Sequence, residues 1–159
     1  PVLRPATPDD VEAIAAVWAA GWIDGHHGHV PEALGRWRTA PLLALRVGQH
    51  VADVVVADAG GEVVGFVLVD GDEVEQCYVA AAARGTGAAR ALLADAECRI
   101  AALGHDVAWL SVVGGNTRAR RFYEREGWVD TGSFVYEALT PEGPLPVAAH
   151  RYEKPVRPR

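Results

Sequence analysis

The sequence predicts a single mixed α/β (α+β) domain, with a mostly antiparallel central sheet of six to seven strands and about four flanking helices. Its 159 residues suffice for one domain with its own core. β-branched runs separated by turns rich in Gly and Asp fill the middle third of the chain. A segment of helical period follows, and strand-like and helix-like segments then alternate. This order is typical of one mixed sheet with helices packed against it.

The N-terminal third is predicted to be helical after a short strand at Val2–Arg4. A hydroxyl, a proline and an acid within residues 7–10 signal a helix start, and apolar residues three and four positions apart continue the helix to Gly21. Residues 22–30 are predicted to be a loop, because glycines and histidines interrupt the pattern. A second helix is predicted over residues 31–40, opening on a proline.

The rest of the chain alternates between strands and helices. Strands are predicted at Val54–Ala57, Glu62–Val69, Val74–Val79, Val107–Val113, Trp128–Glu137 and Val147–Glu153. Helices are predicted from Gly87 to Gly104 and from Asn116 to about Glu126. We expect one domain over residues 1–154 and a flexible C-terminal tail over residues 155–159.

Composition and charge disfavour several classes of function. The net charge of −6 opposes binding to nucleic-acid phosphates or to anionic lipid. Cys77 and Cys98 are too few for a disulfide framework and show no metal-ligand spacing. No apolar run approaches the roughly 20 residues of a membrane span. We therefore expect a cytoplasmic protein that binds neither nucleic acid nor membrane.

A glycine-rich turn precedes the helix predicted at Gly87. Residues 84–89 read Arg-Gly-Thr-Gly-Ala-Ala, so small residues leave backbone N–H groups open at a helix N-terminus, which attracts anions. The dinucleotide fingerprint needs a third glycine where Arg90 stands, and the nucleoside-triphosphate loop needs a Gly-Lys-Ser/Thr sequence that this turn lacks. The turn is therefore another kind of anion site, or a tight structural turn.

Two motifs at a suitable separation resemble one protein family. Tyr78-Val79 is followed after four residues by the turn at 84–89 and then by Ala-Leu-Leu at 91–93. Residues 116–128 read Asn-Thr-Arg-Ala-Arg-Arg-Phe-Tyr-Glu-Arg-Glu-Gly-Trp. Together they resemble the acyl-CoA signature and the later motif of small, single-domain N-acetyltransferases of the GNAT superfamily.

The resemblance implies acetyl-CoA as the acyl donor. Its pyrophosphate would lie on the backbone N–H groups of the turn, near the Arg84 side chain, and its pantetheine arm along the preceding strand. Asn116 would bind that arm, or it caps its helix and does no more. The implied cofactor-binding residues are Cys77, Tyr78, Val79, Arg84, Gly85, Thr86, Gly87, Ala88, Ala89, Asn116 and Tyr123.

Tyr123 is the candidate general acid. When an amine attacks the thioester, the departing thiolate needs a proton, and a phenol with a pKa of about 10 still holds its proton at neutral pH. Phe122 and Tyr123 diverge by about 100° on a helix, so that one ring can enter the core while the other faces the donor. Packing of both rings in the core is the alternative.

Glu73 and Glu75 are the candidate bases, since an alkylammonium must lose a proton before it attacks. Strand alternation places both on one face, where their mutual repulsion raises one pKa toward the useful range. Either residue fits the role, directly or through water. An exposed acidic strand edge is the alternative.

The acceptor end carries weaker signals. Trp22, His26 and His27 are candidate substrate-binding residues, because the resemblance places the N-terminal helices beside the acceptor. The group of His26, His27 and His29 also suggests a metal, but no fourth ligand has suitable spacing, and we expect none. Cys77 is expected to pack rather than to react.

The sequence thus predicts an acetyl-CoA-dependent N-acetyltransferase that acts on a primary amine of a small molecule or peptide by direct attack in a ternary complex. A non-catalytic acyl-CoA-binding sensor or regulatory module is the alternative. The net negative charge favours a cationic acceptor through long-range steering. Exposed strands near the C-terminus favour a homodimer.

Overall fold

The computed structural model describes residues 1–157, which form a seven-stranded sheet. The strands are β1 (Val2–Pro5), β2 (Val54–Ala59), β3 (Glu62–Asp70), β4 (Glu73–Val79), β5 (Val107–Val112), β6 (Val129–Ala138) and β7 (Leu145–Pro155). Their order in the sheet is β1-β2-β3-β4-β5-β7-β6. Within the described residues, β4 and β5 pair in parallel and the other neighbours pair antiparallel. The predicted mixed, mostly antiparallel fold is confirmed.

Helices cover both faces of the sheet. They are α1 (Val11–His26), α2 (Glu32–Gly35), α3 (Ala40–Gln49), α4 (Ala88–Ala102) and α5 (Thr117–Arg125). Helices α1 and α3 pack on one face, in a core that includes Trp18, Leu43 and Phe66. Helix α4 packs on the other face, in a core that includes Leu92 and Ile100. No helix in residues 1–157 combines the length and the apolar character needed to cross a membrane.

The start of α1 is fixed by a network of polar contacts, after a 3₁₀ turn at Pro8–Asp10. The Thr7 N–H donates to Asp10 Oδ2 at 2.8 Å, and the Arg4 guanidinium donates to both oxygens of that carboxylate, at 2.8 and 2.9 Å. Arg4 also binds Asp58 of β2 at 2.9 Å. The hydrogen bonds from Arg4 lower the pKa of Asp10 to about 2. The first turn is thereby tied to the edge of the sheet.

The prediction that α1 ends at Gly21 is wrong, because the helix continues to His26. The loop predicted for residues 22–30 is accordingly confined to residues 27–30. Gly21 is required for packing rather than for termination, since a Cβ there would overlap the Tyr78 ring. Gly25, one turn later, makes room for Asn116, whose Nδ2 lies 2.6 Å from where a Cβ would stand. Gly21 thus lets α1 approach β4 closely, and Gly25 lets it approach the start of α5.

The prediction of one helix over residues 31–40 is also wrong. Helix α2 is a single turn that ends at Gly35, and the chain is extended at Thr39, with φ −90° and ψ 153°, before α3 begins. Pro41 explains the interruption. Proline lacks an N–H and its ring clashes inside a helix, but it suits the first turn, so a new helix starts there.

Strand β4 contains a β-bulge at Glu75. The strand pairs with β3 on either side of this residue, which itself has no partner on β3. Beyond the bulge, Cys77 and Val79 pack on the α4 side of the sheet, whereas Tyr78 packs on the α1 side. The extra residue at the bulge therefore determines which side chains of β4 face the α1 side of the sheet and which face the α4 side.

Strands β4 and β5 separate almost as soon as they meet. Their register partners in the described residues are Glu73 and Trp109, and the backbone and indole N–H groups of Trp109 donate to Asp72 at 3.1 and 2.9 Å. Beyond this point, the edge of β4 that faces β5 has no strand partner within residues 1–157. The separation opens a gap in the middle of the sheet.

Strand β6 lies at one edge of the sheet, where a second copy would pair to form the expected homodimer, which stays a prediction. At the other end of the chain, Pro155 belongs to β7 and the Val156 N–H donates to Asp106 O at 2.9 Å. The predicted tail thus begins within ordered strand structure. Its last two positions, 158 and 159, lie outside the described residues.

Gly21→Ala should lower the free energy of unfolding by about 1–3 kcal/mol, because the new methyl group meets the Tyr78 ring in a packed contact. The matched control is Gly48→Ala in α3, where a Cβ would have no neighbour within 4 Å. There the higher helix propensity of alanine should leave stability unchanged or raise it by up to about 1 kcal/mol. Urea unfolding measures both variants, and equal midpoints would contradict the close packing of α1 on Tyr78.

Candidate active site

The gap between β4 and β5 opens into a cleft of about 500 Å³. Residues 74–79 of β4 and residues 110–113 around the end of β5 form its facing sides. The turn at residues 84–90 lines one part of it, and Trp22 and His26 of α1 line another, the acceptor end. One continuous space therefore connects the glycine-rich turn with the expected acceptor region.

The glycine-rich turn provides unused backbone donors. Gly85 and Gly87 have φ values of +80° and +84°, which side chains other than glycine rarely allow. The Ala91 N–H donates to Gly87 O at 3.0 Å. Within the described residues, the N–H groups of Gly85, Gly87, Ala89 and Arg90 have no acceptor from the protein. They are available to an anion at the N-terminus of α4.

The side chains of the turn have distinct positions. Thr86 lies outside the cleft lining, and its hydroxyl braces the turn by donating to Ala83 O at 2.6 Å. Arg84 lines the cleft, and its guanidinium binds Asp24 of α1 at 3.0 Å. Ala88 and Ala89 also line the cleft, where their small side chains leave the donors open.

Cys77, Tyr78 and Val79 lie on the open edge of β4 and line the cleft. Strand β3 pairs with one edge of β4, and the opposite edge is open at these residues. Backbone N–H and C=O groups of alternate residues on the open edge therefore point into the cleft. Burial raises the pKa of the Cys77 thiol to about 12. This cysteine therefore stays protonated and unreactive at neutral pH.

Asn116 caps α5 and also lines the cleft. Its Oδ1 accepts a hydrogen bond from the Ala119 N–H at 3.3 Å. The capping role that the sequence left open is therefore present, while the amide nitrogen lies against Gly25 of α1.

Tyr123 projects from α5 into the cleft. Its ring packs among aromatic neighbours, with centroid distances of 5.2 Å to Phe122, 6.3 Å to Trp128 and 6.4 Å to Tyr152. Burial is the main cause that raises the pKa of the Tyr123 phenol well above 10. The hydroxyl therefore holds its proton throughout the neutral range.

Glu73 and Glu75 have different surroundings. Glu75 lines the cleft with an 8% exposed side chain, one oxygen of which is bound by Arg46 of α3. Its other oxygen, Oε2, is buried without a partner among the described residues. Glu73 lies outside the lining, where burial, and then the charge of Glu75, raise its pKa to about 7. Tyr136 is a lining residue, and its hydroxyl donates a hydrogen bond to Glu73 Oε2 at 3.5 Å.

The predicted acceptor residues do not all reach the cleft. Trp22 and His26 line it and stack on each other, with 5.0 Å between ring centroids. Burial lowers the pKa of His26, which is therefore neutral near pH 7. His27 is exposed and outside the lining, and the His29 ring packs over Gly115. Residues 1–157 contain no group of three or more His, Cys, Asp or Glu side chains that could hold a metal ion.

Three residues that sequence reasoning missed also lie at this end: Arg38, Arg46 and Tyr136. Arg38 and Tyr136 line the cleft, and Arg46 binds Glu75. No local motif marks them, because they come from three separate segments that meet beside β4 only in the folded chain. The sequence offered one general indication of such residues, because a buried glutamate needs a cation or a hydrogen-bond donor nearby.

Sequence comparison finds a matching protein family and a related protein. Residues 42–140 match the family model described as an acetyltransferase (GNAT) domain. An uncharacterized N-acetyltransferase of Mycobacterium tuberculosis is 31% identical over 115 residues, which cover 67% of this chain and 74% of the relative.

Solved structures share the fold. A GCN5-related N-acetyltransferase of Rhodopseudomonas palustris superposes with a TM-score of 0.76 at 21% identity, covering 98% of this chain and 95% of the other. The putative acetyltransferase yncA of Salmonella typhimurium, solved with its cofactor acetyl-CoA, gives 0.74 at 17% identity, covering 99% and 95%. With the family model matching well over half of the sequence, the chain belongs to the GNAT family and is an acetyltransferase.

Proposed function

We propose that this protein transfers an acetyl group from acetyl-CoA to a primary amine of a small molecule or peptide, by direct attack in a ternary complex. The observation that carries the proposal is the single cleft that contains free backbone donors, an open strand edge, the Tyr123 phenol and the Glu75 carboxylate. Each of these groups matches one part of the donor or one step of the reaction.

The cleft suits the chemistry of coenzyme A. The free N–H groups of Gly85, Gly87, Ala89 and Arg90 would hold the pyrophosphate, and the positive φ at both glycines keeps side chains away from it. The pantetheine arm carries amide groups, which the open edge of β4 at residues 77–79 would pair as a neighbouring strand does. When bound, acetyl-CoA supplies the acetyl group as an activated thioester.

Tyr123 would donate the proton that the departing thiolate needs. Its position in the cleft brings the phenol beside β4, and its raised pKa keeps the hydroxyl protonated at neutral pH. The thiolate would form in the same buried surroundings, where loss of hydration raises its basicity as well and allows it to take the proton. The aromatic neighbours fix the ring, so that the hydroxyl does not have to be ordered during the reaction.

Glu75 and Glu73 would have different roles toward the substrate amine: Glu75 would bind it, and Glu73 would accept its proton. Glu75, a lining residue whose Oε2 is buried without a partner among the described residues, would hold the substrate ammonium. Glu73, with a pKa of about 7, would take the proton through the hydroxyl of Tyr136, a lining residue that donates to Glu73. A base whose pKa lies near the working pH is suited to this transfer.

A direct transfer is favoured over a covalent intermediate on the enzyme. Cys77 is the thiol in the cleft lining, and its raised pKa leaves almost no thiolate at neutral pH. The two cysteines are both free, in agreement with a reducing, cytoplasmic setting.

Tyr123→Phe should lower kcat by about 10²-fold and leave the KM for acetyl-CoA nearly unchanged, because the ring stays and the proton donor is lost. Release of free thiol from acetyl-CoA with a panel of amines measures turnover, and thermal stabilisation by acetyl-CoA measures binding. Tyr152→Phe is the control, since this ring packs on Tyr123 but lies outside the cleft lining.

The outcomes separate the hypotheses. An undiminished kcat in Tyr123→Phe would contradict the role of the phenol. Acetyl-CoA binding without turnover of any amine by the unsubstituted protein would instead favour the non-catalytic acyl-CoA-binding module.

The pH profile of kcat/KM should show a limb that rises through about pH 7, because the raised pKa of Glu73 leaves its carboxyl protonated, and unable to accept a proton, below that pH. Glu73→Gln should remove this inflection and lower kcat/KM by about 10²-fold at pH 8. Glu62→Gln, an exposed position on β3, should change neither quantity. An inflection near pH 7 that persists in Glu73→Gln would exclude Glu73 as the base.

A further inference from the structure

Arg38 is a half-buried cation in the wall of the acceptor end. It lines the cleft together with Glu75, Tyr78 and Tyr136. In the described part of the chain its side chain makes one weak hydrogen bond, from Nη1 to Trp37 O at 3.4 Å. None of the ion pairs within residues 1–157 includes it.

Of the other arginines around the cleft, Arg46, Arg84 and Arg90 have carboxylate partners, and Arg118 and Arg125 are exposed. Arg46 binds Glu75, and Arg84 binds Asp24 at 3.0 Å. Glu75 is the nearby anion that acts on Arg38, but Arg46 already holds one of its oxygens. A guanidinium has five N–H donors and stays charged, so most of the donors of Arg38 are left for a molecule that enters the cleft.

Arg38 is the half-buried cation of this part of the cleft, and it has no carboxylate partner among the described residues. Arg46 and Glu75 are paired with each other, and the buried His26 is neutral near pH 7. Glu73, whose pKa is about 7, lies outside the lining and accepts a hydrogen bond from Tyr136. Contacts at a few ångströms outweigh long-range steering in the choice of a bound ligand, so the site itself favours a ligand that carries an anionic group.

We propose that Arg38 binds a carboxylate of the acceptor, which makes the acceptor an amino acid or another small amine that carries a carboxylate. This inference rests on the proposed function and specifies its substrate class. A guanidinium and a carboxylate form two parallel N–H···O bonds, which fix the direction of the ligand. The ammonium of the same molecule then faces the carboxylate of Glu75, whose Oε2 has no partner among the described residues.

The rest of the lining near this end indicates the side chain of the acceptor. Trp18, Trp22, Val30 and Leu34 contribute apolar surface from α1 and from the segment that leads to Arg38. Apolar walls with a few placed polar groups select an apolar body with a polar end. An amino acid with an apolar side chain matches this arrangement.

The test compares acceptors that differ in the carboxylate alone. L-leucine, L-methionine and L-phenylalanine are each assayed with acetyl-CoA beside the corresponding amino-acid amide and decarboxylated amine. At least one amino acid should exceed both of its partners in kcat/KM by about 30-fold or more, which corresponds to about 2 kcal/mol. Arg38→Gln should abolish this preference, and Arg38→Lys should restore it in part, since lysine keeps the charge without the planar fork.

Arg36→Gln is the matched control, because it removes the same charge two residues away from an exposed position outside the lining. It should keep the full preference for the carboxylate. Calorimetric titration of the same amino acids and amines measures the preference by binding, independently of turnover and of any loss of stability in Arg38→Gln.

Three results would overturn the inference. Acetyl transfer at similar rates to the amino acids and to their carboxylate-free partners would leave the proposed function intact and exclude Arg38 as the carboxylate site. A preference that survives in Arg38→Gln would assign the carboxylate to another residue. A preference for succinyl-CoA over acetyl-CoA that Arg38→Gln removes would place the carboxylate on the donor instead of the acceptor.

Discussion

The early separation of β4 from β5 is the structural constraint on which the site depends. The two strands meet at Glu73 and Trp109, which keeps the sheet continuous, and then diverge. Because the strands diverge, the backbone of β4 is open along the length that a pantetheine arm would occupy. The open stretch leads to the glycine-rich turn, whose free N–H groups line the same cleft. A regular parallel pairing of the two strands would satisfy these groups internally and close the cleft. The groups available to bind a ligand are thus backbone N–H and C=O groups that have no hydrogen-bond partner within the described fold.

Burial in the same cleft sets the protonation state of the reacting groups in the direction that the proposed reaction needs. It keeps the Tyr123 phenol and the Cys77 thiol protonated, so that one can act as an acid and the other stays inert. Beside the cleft, burial also raises the pKa of Glu73 toward neutrality. The bulge at Glu75 belongs to the same arrangement, because the extra residue is the one whose carboxylate enters the lining.

The parts of the structure that local signals encode were predictable from the sequence. The β-branched runs, the glycine-rich turn and the position of Tyr123 on its helix all follow from residues adjacent in the chain. The acceptor end was not predictable in this way. Gly21 resembles a helix stop, but it is fixed by a contact with Tyr78, which is distant in sequence. The bulge at Glu75 leaves no compositional trace, and Arg38 reaches the cleft only because α1, α2 and the sheet pack together.

Backbone amide NMR during titration with acetyl-CoA tests whether the cofactor binds at the glycine-rich turn and along β4. If it does, the amides of Gly85, Gly87, Ala89 and Arg90 should shift most, together with those of residues 76–79 on the open edge of β4. ATP at the same concentration should not reproduce this pattern. Saturable binding that leaves these amides unmoved, or equal shifts with ATP, would contradict the assignment of this cleft to acetyl-CoA.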